Sequence, residues 1–160
     1  MPSYPIWCNE DPDVFLREVG PGLFVGAKGA ASVRPWDLVV DLHGVELVTA
    51  DDLILHPFPD GNPFPSEVLD QAYSKVERVR DQGGVTLIAC DTGRSRSASA
   101  AYAMLRTIWG VGRNDANNRI STQTTVPVGR QRRMSVTHPR RETLSSAFDW
   151  VEHRLERLRA

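Results

Sequence analysis

The chain has 160 residues, 19 Lys and Arg against 20 Asp and Glu, a net charge of −1, and 41% hydrophobic residues. That length supports a single domain over residues 1–160 with a real core, and no run of eighteen apolar residues exists to cross a membrane. The two cysteines, Cys8 and Cys90, form neither a disulfide framework nor paired metal-ligand spacing; with no basic-then-apolar leader at the N-terminus, the expected location is reducing and cytoplasmic.

Short apolar runs at residues 23–25, 38–42 and 53–55, each bounded by Gly, Pro or Asp, read as strands. Residues 66–82 read as a helix with Val68, Leu69, Ala72, Val76 and Val79 on one face, Ser66 as its cap with Glu67 behind it, and Gly83-Gly84 as its stop. Residues 85–89 are continuously apolar, the pattern of a buried central strand. A tight turn follows, then an Ala-rich helix over residues 97–109 stopped by Gly110-Val111-Gly112. From residue 142 a last helix carries Leu144, Phe148, Val151, Leu155 and Leu158 at helical spacing. The predicted fold is α/β: one central, mostly parallel sheet flanked by helices.

Residues 110–141 fit this map least. They hold seven Arg and one Asp, leaving the remainder of the chain at −7. The segment reads as an insertion, a mobile loop or flap, or a short extra helix over residues 115–120. Its charge belongs either to a solvated surface or to a positive rim that attracts an anionic partner. No aromatic residue lies within it to stack on bases, so nucleic acid is a poor fit.

The informative stretch is Cys90-Asp91-Thr92-Gly93-Arg94-Ser95-Arg96-Ser97, at the end of the predicted central strand. A Cys with Arg six positions on and Gly between them can curl so that backbone N–H groups and the first turn of the next helix meet an anion. Cys-to-Arg spacing alone arises by chance about one time in five in this composition; adding the Gly and the hydroxyl after the Arg cuts that to roughly one in five hundred. The bland alternative is a buried Cys before a Ser-rich helix cap. A thiolate held by such a loop is a nucleophile, Arg96 offers a planar fork to two phosphate oxygens, and Ser97 can donate a hydrogen bond to the sulfur.

These residues resemble the cysteine-dependent protein phosphatases, most closely the small dual-specificity branch, and Pro21-Gly22-Leu23-Phe24-Val25-Gly26 resembles its opening strand. The resemblance runs from about Gly20 to Arg106. It implies hydrolysis of phosphate monoesters, on phosphotyrosine and in some cases phosphoserine and phosphothreonine, through a phosphocysteine at Cys90. Arg96 and Ser97 would assist, and Asp91, Thr92, Gly93, Arg94 and Ser95 would form the substrate-binding loop. No cofactor or metal is asked for, and the partner implied is a phosphorylated protein. The family usually places His directly before the nucleophile; Ala89 stands there, which leaves activation of Cys90 to the loop amides, Arg96 and Ser97.

The proton donor implied by the resemblance lies about thirty residues upstream, where Asp60 sits in a Pro-rich stretch ending Pro59-Asp60-Gly61. Without the resemblance, Pro-Asp-Gly reads equally well as an ordinary turn. Asp51, Asp52 and Asp70 are the fallback acids. Arg94 either meets the substrate or solvates the loop, and Asp91 is expected to face away from the anion and pair elsewhere. His43, His56, His138 and His153 lack partners at metal-ligand spacing. Two rivals remain open: the same scaffold acting on a phosphoinositide or an RNA 5′-triphosphate, and a phosphate-binding module without turnover.

Overall fold

The computed structural model describes residues 6–9, 15–44, 50–128, 131–137 and 139–159, with backbone alone over 6–9, 122–128 and 131–137. In chain order the elements are β1 (Ile6–Asn9), β2 (Leu16–Gly20), β3 (Leu23–Gly26), β4 (Trp36–Asp41), β5 (Ala50–Leu55), α1 (Ser66–Asp81) and β6 (Thr86–Ala89). They continue with α2 (Arg96–Thr107), α3 (Arg113–Ile120), β7 (Thr122–Val128), β8 (Gln131–Thr137) and α4 (Arg141–Arg159).

The main sheet runs β1-β2-β3-β6-β4-β5. From β3 to β5 neighbouring strands are parallel, while β1, β2 and β3 form an antiparallel meander at one side. Strand β6 lies between β3 and β4, so Ala89 aligns with Gly26 on one side and Asp41 on the other. All four β6 residues, Thr86 and the apolar Leu87, Ile88 and Ala89, are buried, as expected of a central strand.

Side chains alternate across β6. Ile88 and Cys90 join the larger core, packed by the helices with Val68, Tyr102, Met104 and Trp150 among its members. Leu87 and Ala89 face the other side with Leu16, Phe24, Ala30, Ala31, Trp36 and Val39, beneath a short 3-10 turn at Lys28–Ser32. Helix α2 is buried along most of its length. Its run of Ala98, Ala100, Ala101 and Ala103 lets it lie close to the strands and to α4.

One expectation needs correction, and two segments extend the map. Ser66 is not the cap of α1: the chain enters the helix from Pro65, whose φ of −62° is already suited to it, and no side-chain cap bond forms. Strand β2 had no counterpart in the sequence reading because its apolar pattern is broken by Arg17, which is nevertheless fully buried. Of the alternatives for residues 110–141, the short extra helix is present as α3, which begins two residues before the expected 115–120, and the antiparallel pair β7–β8 follows it. The β-branched residues Thr122, Thr124, Thr125, Val126 and Val128 were the available signal for that hairpin.

No helix among the described residues is long and apolar enough to cross a membrane.

Candidate active site

Strand alternation delivers Cys90 to the carboxyl end of β6, on the helix side of the sheet and only 2% exposed. Its N–H donates to Gly26 O at 3.2 Å, which anchors the start of the loop to β3. Gly93 is required twice over. Its φ is +73°, and a Cβ there would come within 2.6 Å of Gly26 C and 2.9 Å of Ala27 N. The loop therefore packs backbone against backbone on the end of β3, and Lys28 N–H donating to Asp91 O at 3.2 Å pins its outer edge.

Among the described residues, the backbone N–H groups of residues 91–95 donate to no protein acceptor. Arg96 closes the loop, its Nη1 donating to Leu42 O at 3.0 Å and to Phe58 O at 2.6 Å. Those carbonyls come from the ends of the β4 and β5 connections, so the guanidinium is fixed from two segments outside its own helix. Its Nε is buried without a partner. A buried cation with an unused donor beside a row of unused backbone donors is a site suited to a tetrahedral oxyanion. Ser97 Oγ lies 3.3 Å from Cys90 Sγ, so its hydroxyl can donate to an ionised sulfur.

Asp60 comes into the same site. Ser95 Oγ donates to its Oδ1 at 2.6 Å, and Arg140 Nε lies 3.6 Å from its Oδ2. The stretch carrying it is held on the first turns of α4, where Gly61 N–H donates to Thr143 Oγ1 and Phe64 N–H to Ser146 Oγ. The fallback acids are committed elsewhere or exposed. Asp52 is paired with Lys75, whose hydrogen bond holds its carboxyl below the usual range. Asp70 accepts from Trp150 Nε1 at 2.9 Å, and Asp51 lies exposed on β5.

Of the other loop residues, Asp91 turns to the rim and meets Lys28 at 3.5 Å and His43 at 4.0 Å. Thr92 is exposed. The half-buried Arg94 lays its guanidinium over the Phe15 ring, 4.9 Å from the centroid. Ala89, where the resembled family has His, is fully buried in the apolar cluster on the opposite face from the thiol.

Several supporting groups escaped the sequence reading. Asp41, completely buried, accepts from His43 N–H and Gly44 N–H and so shapes the turn that presents Leu42 O to Arg96; Asp-Leu-His-Gly after a strand was its signal. Arg17 donates to the carbonyls of Arg119, Ile120 and Ser121, a cationic cap on the end of α3. Burial and the nearby Arg94 pull its pKa down to about 9, against the pull of Cys90, so it stays cationic at neutral pH. Of the basic segment, Arg119 pairs with Asp115 and the exposed Arg113 lies over Phe148, while Arg140 and Arg141 are exposed, Arg140 beside Asp60. Arg132 and Arg133 fall in β8 where only backbone is described, and Arg130 and His138 lie outside the described residues.

No protein-family model matches the chain, and no curated protein matches it in sequence. Solved structures do. A mouse putative dual specificity phosphatase complexed with zinc tungstate is 22% identical, with 94% of each chain covered and a TM-score of 0.71. Human DUSP28 is 21% identical over 99% of this chain and 100% of its own, with a TM-score of 0.63. PTPMT1 in complex with PI(5)P is 13% identical over 89% of this chain and 98% of its own, with a TM-score of 0.67. Strand order, the Cys90 loop and this likeness over nearly the full length agree: the chain has the fold of the dual-specificity cysteine phosphatases.

Proposed function

We propose that the protein is a phosphatase that hydrolyses phosphate monoesters through a phosphocysteine at Cys90, acting on phosphorylated protein. The observation that carries this reading is the buried Cys90 thiol with the unused N–H donors of residues 91–95 and the partnerless Nε of Arg96. In the first step the sulfur attacks phosphorus while Arg96 and the loop amides take up charge on the non-bridging oxygens. Asp60 gives its proton to the departing oxygen. In the second step the Asp60 carboxylate takes a proton from water as that water attacks the phosphocysteine, and Ser97 supports the leaving sulfur.

Arg96 and the amides supply the positive charge a metal would otherwise bring, so the chemistry requires none. Cys90, Arg96 and Asp60 lie in one site, which argues against a module that merely binds phosphate. The test is phosphate release, with a chelator present, from phosphotyrosyl, phosphoseryl and phosphothreonyl peptides, a phosphoinositide and an RNA 5′-triphosphate. Wild-type protein should release phosphate from the phosphopeptides, and Cys90→Ser should lose at least about a thousandfold. Release by Cys90→Ser at the wild-type rate would rule out the nucleophile; release confined to the lipid or the RNA would move the reading to that substrate.

A further inference from the structure

Ser95 occupies the position before the first turn of α2, where a serine ordinarily accepts a hydrogen bond from the helix's own N–H groups, worth about 1 kcal/mol. It makes no such bond. Its hydroxyl is used across the site instead, accepting from Arg140 N–H at 2.8 Å and donating to Asp60 Oδ1 at 2.6 Å. A hydroxyl has one proton, and with Arg140 N–H on its acceptor side that proton is directed at the carboxyl group. Asp60 Oδ1 also accepts from Gly61 N–H at 2.9 Å. Both lone pairs of Oδ1 are then occupied, and a proton placed on that oxygen would meet two donors.

We propose that Ser95 is the positioning residue of the proton donor: it orients Asp60 through Oδ1 and leaves Oδ2 as the oxygen that carries the transferable proton. This rests on the assignment of Asp60 as general acid. Thr143 and Ser146 hold the backbone of the Asp60 stretch, whereas the Ser95 hydroxyl links the carboxyl group itself to the Cys90 loop. Oδ2 faces Arg140, whose side chain is 74% exposed, so that ion pair is solvent-screened and yields readily to a substrate. In the first step the Oδ2 proton goes to the leaving oxygen as its bond to phosphorus breaks and the sulfur–phosphorus bond forms. In the second, Oδ2 takes a proton from water as the new oxygen–phosphorus bond forms and the thiolate departs.

The experiment compares phenyl phosphate, whose leaving group needs a proton, with para-nitrophenyl phosphate, whose leaving group hardly does. The ratio of the two kcat/KM values, which reports formation of the phosphocysteine and not its hydrolysis, is read in wild type, Ser95→Ala, Asp60→Asn and the double variant. Because both rates come from one sample, any change in the folded fraction cancels. Asp60→Asn should lower the ratio by roughly a hundredfold. Ser95→Ala should lower it about tenfold, and should lower it no further once Asp60 is Asn. A wild-type ratio in Ser95→Ala, or an equal drop in the Asp60→Asn background, overturns the role of Ser95 while leaving Asp60 in place. A wild-type ratio in Asp60→Asn overturns the acid assignment and the Ser95 proposal with it.

Discussion

The two ends of the parallel strands use the same residue types to different effect. At the carboxyl ends, a glycine-bearing loop, an arginine and a cysteine are drawn together, and backbone carbonyls from two other segments fix the guanidinium. At the amino ends, an open cleft of about 540 Å³ is lined by Gly22, Phe24, Arg34, Arg80, Gly83, Gly84 and Trp109. There the arginines lie over aromatic rings, Arg80 on Trp109 and Arg34 on Trp36, each 5.3 Å from the ring centroid. Glu18 also lines that cleft, and nearby Asp37 accepts from Val85 N–H at 2.8 Å. What distinguishes the candidate site is a buried arginine fixed by two other segments beside backbone donors left without protein acceptors; arginine and glycine alone do not make a site.

If that distinction is right, Gly93→Ala should do the greatest damage. The positive φ and a Cβ 2.6 Å from Gly26 C force the loop off β3, and a loss of about 2–4 kcal/mol in unfolding free energy is expected together with most of the activity. Denaturant unfolding beside a turnover assay checks both. Arg96→Lys should fold normally and lose about a hundredfold in kcat, because an ammonium cannot bond Leu42 O and Phe58 O while also presenting a fork to phosphate. Near-normal turnover in that variant would break the comparison.

At the other end, Arg34→Ala and Arg80→Ala should leave kcat and KM within about twofold of wild type, and each should cost about 0.5–1 kcal/mol from the lost ring contact. A large loss of turnover in either would mean that the cleft is coupled to the chemistry. The smallest effect is expected at Asp52→Asn on β5, about 0–1 kcal/mol. Lys75 depresses the Asp52 carboxyl, so the stabilisation is present above the usual carboxylate range and disappears as pH falls through the lowered value. Wild type and Asp52→Asn should therefore differ slightly at neutral pH and converge in acid.

The parts legible in the sequence were those where local pattern and tertiary role coincide. Residues 85–89 are apolar apart from Thr86 because β6 is covered on both faces, and the Ala-rich stretch after Arg96 is helical because α2 is buried. Gly93 was legible because its local turn and its close approach to β3 demand the same residue. Contributions from distant segments were not legible. Leu42 and Phe58 act through carbonyl groups that any residue would supply, so their identities carry no signal. Arg17 reads as a break in a strand because its role depends on the end of α3, more than a hundred positions away. The Ser95–Asp60 bond spans 35 positions and displaces the local capping role that Ser95 has on paper.

The most direct test of the account is to quench wild type and Asp60→Asn during turnover of para-nitrophenyl phosphate and map phosphate on the denatured chain by mass spectrometry. The account predicts one phosphorylated residue, Cys90, more populated in Asp60→Asn because loss of the base slows hydrolysis of the intermediate, and none in Cys90→Ala. Steady turnover with phosphate found on another residue, or undiminished turnover by Cys90→Ala, would contradict it.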